Sequence, residues 1–92
     1  MHSMTLEQLR ATAAAGGVAG VTLKGQGGAF MLRIATRSGQ QAVLAKARST
    51  EPRRFGNPAS AMILLREIGI AVAQLDATDW DPDQKDMSRS RA

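Results

Sequence analysis

The chain has 92 residues, a net charge of +4 and no cysteine. This length fits one domain with a small core, and a hydrophobic content of 43% excludes a chain that is disordered throughout. The lack of cysteine excludes disulfides, thiol nucleophiles and cysteine-ligated zinc. No stretch approaches the roughly 20 apolar residues that span a bilayer, and no signal peptide is evident, so we expect a cytoplasmic protein without a membrane partner.

The first predicted element is a helix that begins after Thr5. Thr5 and Gln8 have the T-x-x-Q spacing of a capping box, in which each residue can bond the other's backbone amide. Gly16 and Gly17 supply the left-handed exit that ends a helix. Residues 1–3 are expected to be a flexible start.

Three strands are predicted next, at residues 18–24, 29–37 and 41–48. The second is the clearest, because Phe30, Leu32 and Ile34 alternate with other residues at the period of a half-buried strand. Glycine-rich turns separate the three strands, which therefore form an antiparallel meander. The expected core face carries the side chains of Leu23, Phe30, Leu32, Ile34 and Val43.

A second helix is predicted after a loop at residues 49–56. Asn57 is its expected N-cap and Pro58 its first helical residue. The helix has an apolar stripe, Gly69 ends it, and residues 70–75 are expected to form a fourth strand; the stripe consists of Ala61, Leu64, Leu65 and Ile68.

The predicted fold class is α+β in the order α-β-β-β-α-β. An antiparallel sheet of three to four strands would carry both helices on one face. Residues 4–82 would form this single domain, and residues 83–92, rich in Asp, Ser and Arg, would be a disordered tail.

Charge is distributed unevenly along the chain. Residues 24–54 contain seven basic residues against Glu51 alone, whereas residues 76–86 contain five acidic residues against Lys85 alone. The two segments are expected to attract different partners, or each other.

The basic segment is the candidate binding site. If Phe30, Leu32 and Ile34 face the helices, most of the cations lie on the outer face of the sheet, with Met31 and Leu44 as apolar spots. Arg53 and Arg54 precede the second helix, whose N-terminus favours anions, so they are expected to form an anion clamp there. The candidate residues for nucleic-acid or anion binding are Lys24, Arg33, Arg37, Lys46, Arg48, Arg53 and Arg54.

A merely solvated polar face is the alternative interpretation. The scarcity of acidic residues between Lys24 and Glu51 favours binding, since a solvated face normally mixes both signs. The chain has few aromatics for stacking on bases, so binding would depend on phosphate contacts and be salt-sensitive. Trp80 packs on the core or anchors a partner, and we favour the core.

No catalytic constellation can be assembled from this sequence. His2 is the only histidine, and the carboxylates of Glu51 and Glu67 have no evident partner for acid–base chemistry. We therefore expect no enzyme, no cofactor, no metal site and no small-molecule substrate.

Three short segments resemble ParC-like, partition-associated proteins of plasmids and integrative elements. They are residues 24–28 (KGQGG), residues 51–56 (EPRRFG) and residues 64–70 (LLREIGI), and the resemblance extends from Thr5 to Trp80. It implies an accessory role beside plasmid-type partition or maintenance proteins in a bacterial cytoplasm, and it carries over no catalytic residues.

The sequence thus leads to two functional hypotheses. The first is a binding or adaptor protein of mobile DNA, which contacts DNA or an acidic protein surface through its basic sheet face. The alternative is a protein–protein interaction module without nucleic-acid binding, such as a homodimer paired through an edge strand or through Met31 and Leu44.

Overall fold

The computed structural model describes residues 2–84 as one sheet with two helices. In chain order the elements are β1 (His2–Met4), α1 (Leu6–Ala14), β2 (Val18–Gly27), β3 (Ala29–Thr36), β4 (Gln41–Leu44), α2 (Pro58–Glu67) and β5 (Gln74–Trp80). The sheet order is β1-β4-β3-β2-β5. The central pairs are antiparallel, while both edge strands run parallel to their neighbours. The α+β class is confirmed, although the sheet is mixed and has five strands instead of three to four.

Both helices begin at the predicted caps. The Thr5 hydroxyl accepts the Gln8 amide at 3.0 Å, and the Gln8 side chain accepts the Thr5 amide at 2.9 Å, which completes the capping box. At α2, the Asn57 side chain accepts the Ser60 amide at 3.0 Å, and Pro58 occupies the first turn. These local signals are short-range, which is why the sequence located the helix starts correctly.

One apolar cluster joins the two helices to one face of the sheet. Leu9 of α1 and Leu65 of α2 are fully buried against inward-facing residues of β2, β3 and β4. The buried members of this cluster are Leu9, Val21, Leu23, Phe30, Leu32, Ile34, Leu44, Phe55, Ala61 and Leu65. The opposite face of the sheet carries no helix of the described residues and presents the basic residues of β2 and β3.

The orientation of β4 differs from the prediction. Val43 lies opposite Arg33 and Ala42 opposite Ile34, so Val43 belongs to the outer face and Leu44 to the core. Leu44 is completely buried. The Thr36 amide donates to the Gln40 carbonyl where the hairpin between β3 and β4 turns. A change of one residue in the register of a strand moves each of its side chains to the other face of the sheet. The strand also ends at Leu44 instead of residue 48.

Both edge strands correct the sequence prediction. Residues 2–4 form β1 beside β4 and are not a flexible start. The last strand covers Gln74–Trp80, where residues 70–75 had been expected. The apolar character of residues 70–73 suggested a buried strand. The strand instead forms from the acidic residues that follow, because it lies at the edge of the sheet, where charged residues are common.

The end of the chain lies largely outside the described residues. A turn follows β5, in which the Gln84 amide donates a hydrogen bond to the Asp81 carbonyl. The tail predicted at residues 83–92 falls, from residue 85 onward, beyond the part that the structure describes.

Candidate nucleic-acid interface

The seven predicted cations occupy three separate places. Lys24 and Arg33 lie on the outer face of the sheet, on β2 and β3. Arg37 follows β3 at the opposite end of the sheet from Lys24. The other four lie in residues 46–54, here named the basic loop, which connects β4 to α2; they are Lys46, Arg48, Arg53 and Arg54. Lys46 and Arg48, which were expected on the outer face of the sheet, lie beyond the end of β4 in this loop.

Lys24 forms ion pairs within the protein. Its Nζ atom lies 3.3 Å from a carboxylate oxygen of Asp76 and 3.3 Å from one of Asp79. Both partners belong to β5, which pairs with β2 so that Lys24 lies directly opposite Asp76. The attraction between the basic and acidic segments thus occurs inside one sheet, and a polyanion would have to compete with two carboxylates for the Lys24 ammonium group.

The pH dependence of stability follows from these contacts. The Thr78 backbone N–H donates to Asp76 Oδ1 at 3.0 Å, and this bond, together with the Thr78 hydroxyl and Lys24, lowers the pKa of Asp76 from 3.8 to about 2. A lowered pKa in the folded state stabilises the fold above pH 3.8, and this contribution disappears as the pH falls toward 2. The hydrogen bonds to Asp76 and Asp79 raise the pKa of Lys24 above 10.5, so its contribution is complete below that pH and is lost only above it.

We therefore expect Asp76→Asn to lower the thermal midpoint at neutral pH and to have no effect near pH 2. Thermal unfolding of both proteins across this range measures the difference, with Asp83→Asn as the control carboxylate outside the Lys24 contact. A midpoint difference that persists unchanged to pH 2 would contradict the assignment.

Arg33 and Arg37 have different environments. Arg33 is half-buried on the outer face between Thr22 and Val43, and it forms no salt bridge with any residue from 2 to 84. Arg37 Nε donates to the Gly16 carbonyl at 2.7 Å. That carbonyl follows the end of α1, so Arg37 ties the β3 hairpin to the helix terminus.

The basic loop has a defined backbone. Ala45 and Pro52 form a bridge, and the Lys46 amide donates to the Glu51 carbonyl at 2.8 Å. Beyond Pro52, the Arg53 amide donates to the Leu44 carbonyl at 2.9 Å. The loop is thus a short hairpin that extends from β4, with its cationic residues exposed.

Phe55 anchors the loop to the core, a role that the sequence reasoning missed. Its backbone exchanges two 2.8 Å hydrogen bonds with Phe30, and its side chain is 6% exposed. The Arg53 guanidinium carbon lies 5.1 Å from the centre of the Phe55 ring, a cation–π distance. The sequence did contain a signal for this role, since an aromatic residue directly follows two arginines.

The loop carries more basic than acidic residues. Lys46 and Glu51 approach to 3.3 Å, with side-chain exposures of 52% and 72%. Such an exposed pair is weak, and the loop contains four cations against this one acid.

The start of α2, where an anion clamp was expected, has one backbone amide capped and one position without an N–H. Asn57 Oδ1 already accepts the Ser60 amide, and Pro58 has no N–H to offer. Arg53 and Arg54 precede this terminus, at the end of the basic loop.

Aromatic stacking contributes little to this surface. Phe30 and Phe55 are buried, and the Trp80 ring packs against Phe30 with 5.3 Å between ring centres. Trp80 remains 37% exposed, so it covers the edge of the core. Among residues 2–84 no group of three or more His, Asp and Glu side chains is placed to hold a metal ion. None of the described helices has the length and apolar character needed to cross a membrane.

Comparison of the chain with protein-family models, with curated proteins and with solved structures found no match.

Proposed function

We propose that this is a small, non-enzymatic accessory protein of mobile DNA, which binds the phosphate backbone of nucleic acid through the basic loop. The proposal keeps the role that the ParC-like resemblance implies, beside the partition or maintenance proteins of a bacterial plasmid or integrative element. It transfers the contact surface from the sheet face to residues 46–54.

One observation carries this proposal: four exposed cations lie on a short, hydrogen-bonded loop with a single acid. A folded loop loses less conformational entropy on binding than a disordered basic segment does. Lys24, by contrast, is held by two carboxylates, so the sheet face supports binding less strongly.

The proposed contacts are electrostatic. Lysine and arginine side chains that neutralise phosphates release counterions, which makes the affinity fall with salt concentration. Such contacts position a protein on nucleic acid without reading its bases. With at most four loop cations, the slope of log K against log salt should reach roughly −3 to −4 on duplex DNA.

Fluorescence anisotropy with a labelled duplex, repeated over a series of salt concentrations, tests the proposal. We expect the double variant Lys46→Gln/Arg53→Gln to bind more weakly and to reduce the salt slope by about 2, one unit for each lost phosphate contact. Arg10→Gln/Arg66→Gln is the matched control, because it removes two exposed cations from the helices and leaves the loop intact.

Two results would oppose the proposal. Equal weakening by the loop variant and the helix control would reduce the effect to net charge. A negligible affinity for duplex and single-stranded DNA at low salt would end the nucleic-acid hypothesis. Arg33→Gln, measured in parallel, shows how much the sheet face adds.

A second candidate function is a protein–protein module, which the edge strand β5 favours. Val72, just before β5, is 82% exposed, and Leu75, within it, is 57% exposed. The outer edge of this strand has no partner among residues 2–84. Unpaired edges of this kind can pair with another chain, including a second copy. The Met31 and Leu44 pairing considered above is not available, because Leu44 is buried. With a second copy as the partner, sedimentation equilibrium without DNA should show self-association, and the protein should have no affinity for DNA.

A further inference from the structure

Arg48, in the turn of the basic loop, has an unusual backbone conformation. Its φ angle is 58°, and it is the only residue other than glycine with a positive φ among residues 2–84. This left-handed region is unfavourable for side chains with a β-carbon. The four other left-handed positions of the described chain are all glycines, namely Gly16, Gly27, Gly39 and Gly69.

The loop holds Arg48 in this conformation. On one side, the Lys46 amide donates to the Glu51 carbonyl at 2.8 Å, and on the other the Glu51 amide donates to Ser49 Oγ at 2.9 Å. The turn therefore closes over residues 47–50 with Arg48 exposed. A strained residue that the surrounding structure enforces is a reason to look for a role of its side chain.

The neighbours of Arg48 are small. Ala47, Ser49 and Thr50 flank it in sequence, so the arginine is the longest side chain of the turn. The remaining loop cations, Lys46, Arg53 and Arg54, lie behind it on the two arms of the hairpin. This arrangement places Arg48 in the turn of the hairpin and the other cations on its arms.

We infer that Arg48 inserts into the minor groove of duplex DNA while the arms of the basic loop contact the flanking phosphates. A·T-rich tracts have a narrow minor groove with an enhanced negative potential that attracts arginine. The protein would then prefer such tracts although it makes few base-specific hydrogen bonds. This inference rests on the proposed function and specifies its ligand.

The test compares two duplexes of equal length and charge, one with a central A·T tract and one with a central G·C tract. We expect the unaltered protein to prefer the A·T duplex at least about fivefold. Arg48→Gly should abolish this preference and, because glycine relieves the backbone strain, should leave the thermal midpoint unchanged or higher.

Lys46→Gln is the matched control, since it removes one cation from the same loop. Because Lys46 is expected to contact phosphate, its replacement should weaken binding to both duplexes by the same factor and leave the ratio of the two affinities unchanged. Netropsin, which occupies the minor groove of A·T tracts, should displace the protein from the A·T duplex.

Several outcomes would overturn the inference. If the unaltered protein bound the two duplexes equally, the inference would fail but the proposed function would stand. The same holds if Arg48→Gly kept the preference for the A·T duplex. A clear loss of stability in Arg48→Gly would refute the premise that an arginine at this positive φ destabilises the folded protein. Absence of binding to either duplex would refute the proposed function and this inference together.

Discussion

Replacing Leu65 with alanine is expected to lower the free energy of unfolding by about 2–5 kcal/mol. Leu65 lies on α2, has no exposed surface, and packs into the cluster that joins both helices to the sheet. The shortened side chain loses its transfer free energy and leaves a cavity that the neighbouring side chains can fill only partly. Small domains have little stability to spare, so this single change should remove much of it.

Ile63→Ala is the matched control for this loss. Ile63 lies two residues earlier on the same helix and is 62% exposed. Its replacement should change stability by no more than about 0.5 kcal/mol, because surface substitutions rarely do more. Urea unfolding followed by the fluorescence of Trp80, the only tryptophan, measures both variants. Equal losses at the two positions would show that α2 does not pack on the sheet through the face that contains Leu65.

Replacing Gly25 with alanine should destabilise the protein by about 1–3 kcal/mol, the usual cost of overpacking. A β-carbon built on Gly25 would lie 2.6 Å from Cβ of Trp80 and 3.1 Å from Cε2 of Phe30. The first of these neighbours is attached directly to the backbone of β5 and cannot rotate away. The edge strand would have to move from β2, which should lower the thermal midpoint and change the Trp80 fluorescence.

Gly20→Ala separates this steric effect from the general consequence of removing a glycine. Gly20 lies in the same strand, and no heavy atom approaches its β-carbon position within 4 Å. Alanine there should be neutral or slightly stabilising, because it restricts the unfolded chain. If Gly25→Ala proved as stable as Gly20→Ala, the close contact between β2 and Trp80 would be contradicted.

Predictions made from neighbouring residues agree with the structure. The capping box at Thr5 and the Asn57-Pro58 start of α2 involve groups within four residues of each other, and both form as expected. The alternation of Phe30, Leu32 and Ile34 correctly identified the buried face of β3, because a side-chain period of two is a property of any strand.

Predictions that required a partner strand were less successful. The face of β4 depends on the register with β3, and a shift of one residue exchanged Val43 and Leu44 between surface and core. The position of β5 depends on its pairing with β2, which brings Asp76 and Asp79 to Lys24. These are contacts between residues more than fifty positions apart, and no local pattern encodes them.

The candidate site illustrates the same division. The sequence by itself identified the seven cations and the scarcity of acids around them, since charge is a property of composition. It could not tell which cations remain available to a ligand. Only the tertiary structure decided that β5 supplies two carboxylate partners for Lys24, that Arg37 bonds the carbonyl after α1, and that a hairpin anchored by Phe55 carries the loop cations. The physical reason is that local conformation depends on adjacent residues, whereas the free charge of a side chain depends on what the folded chain places beside it.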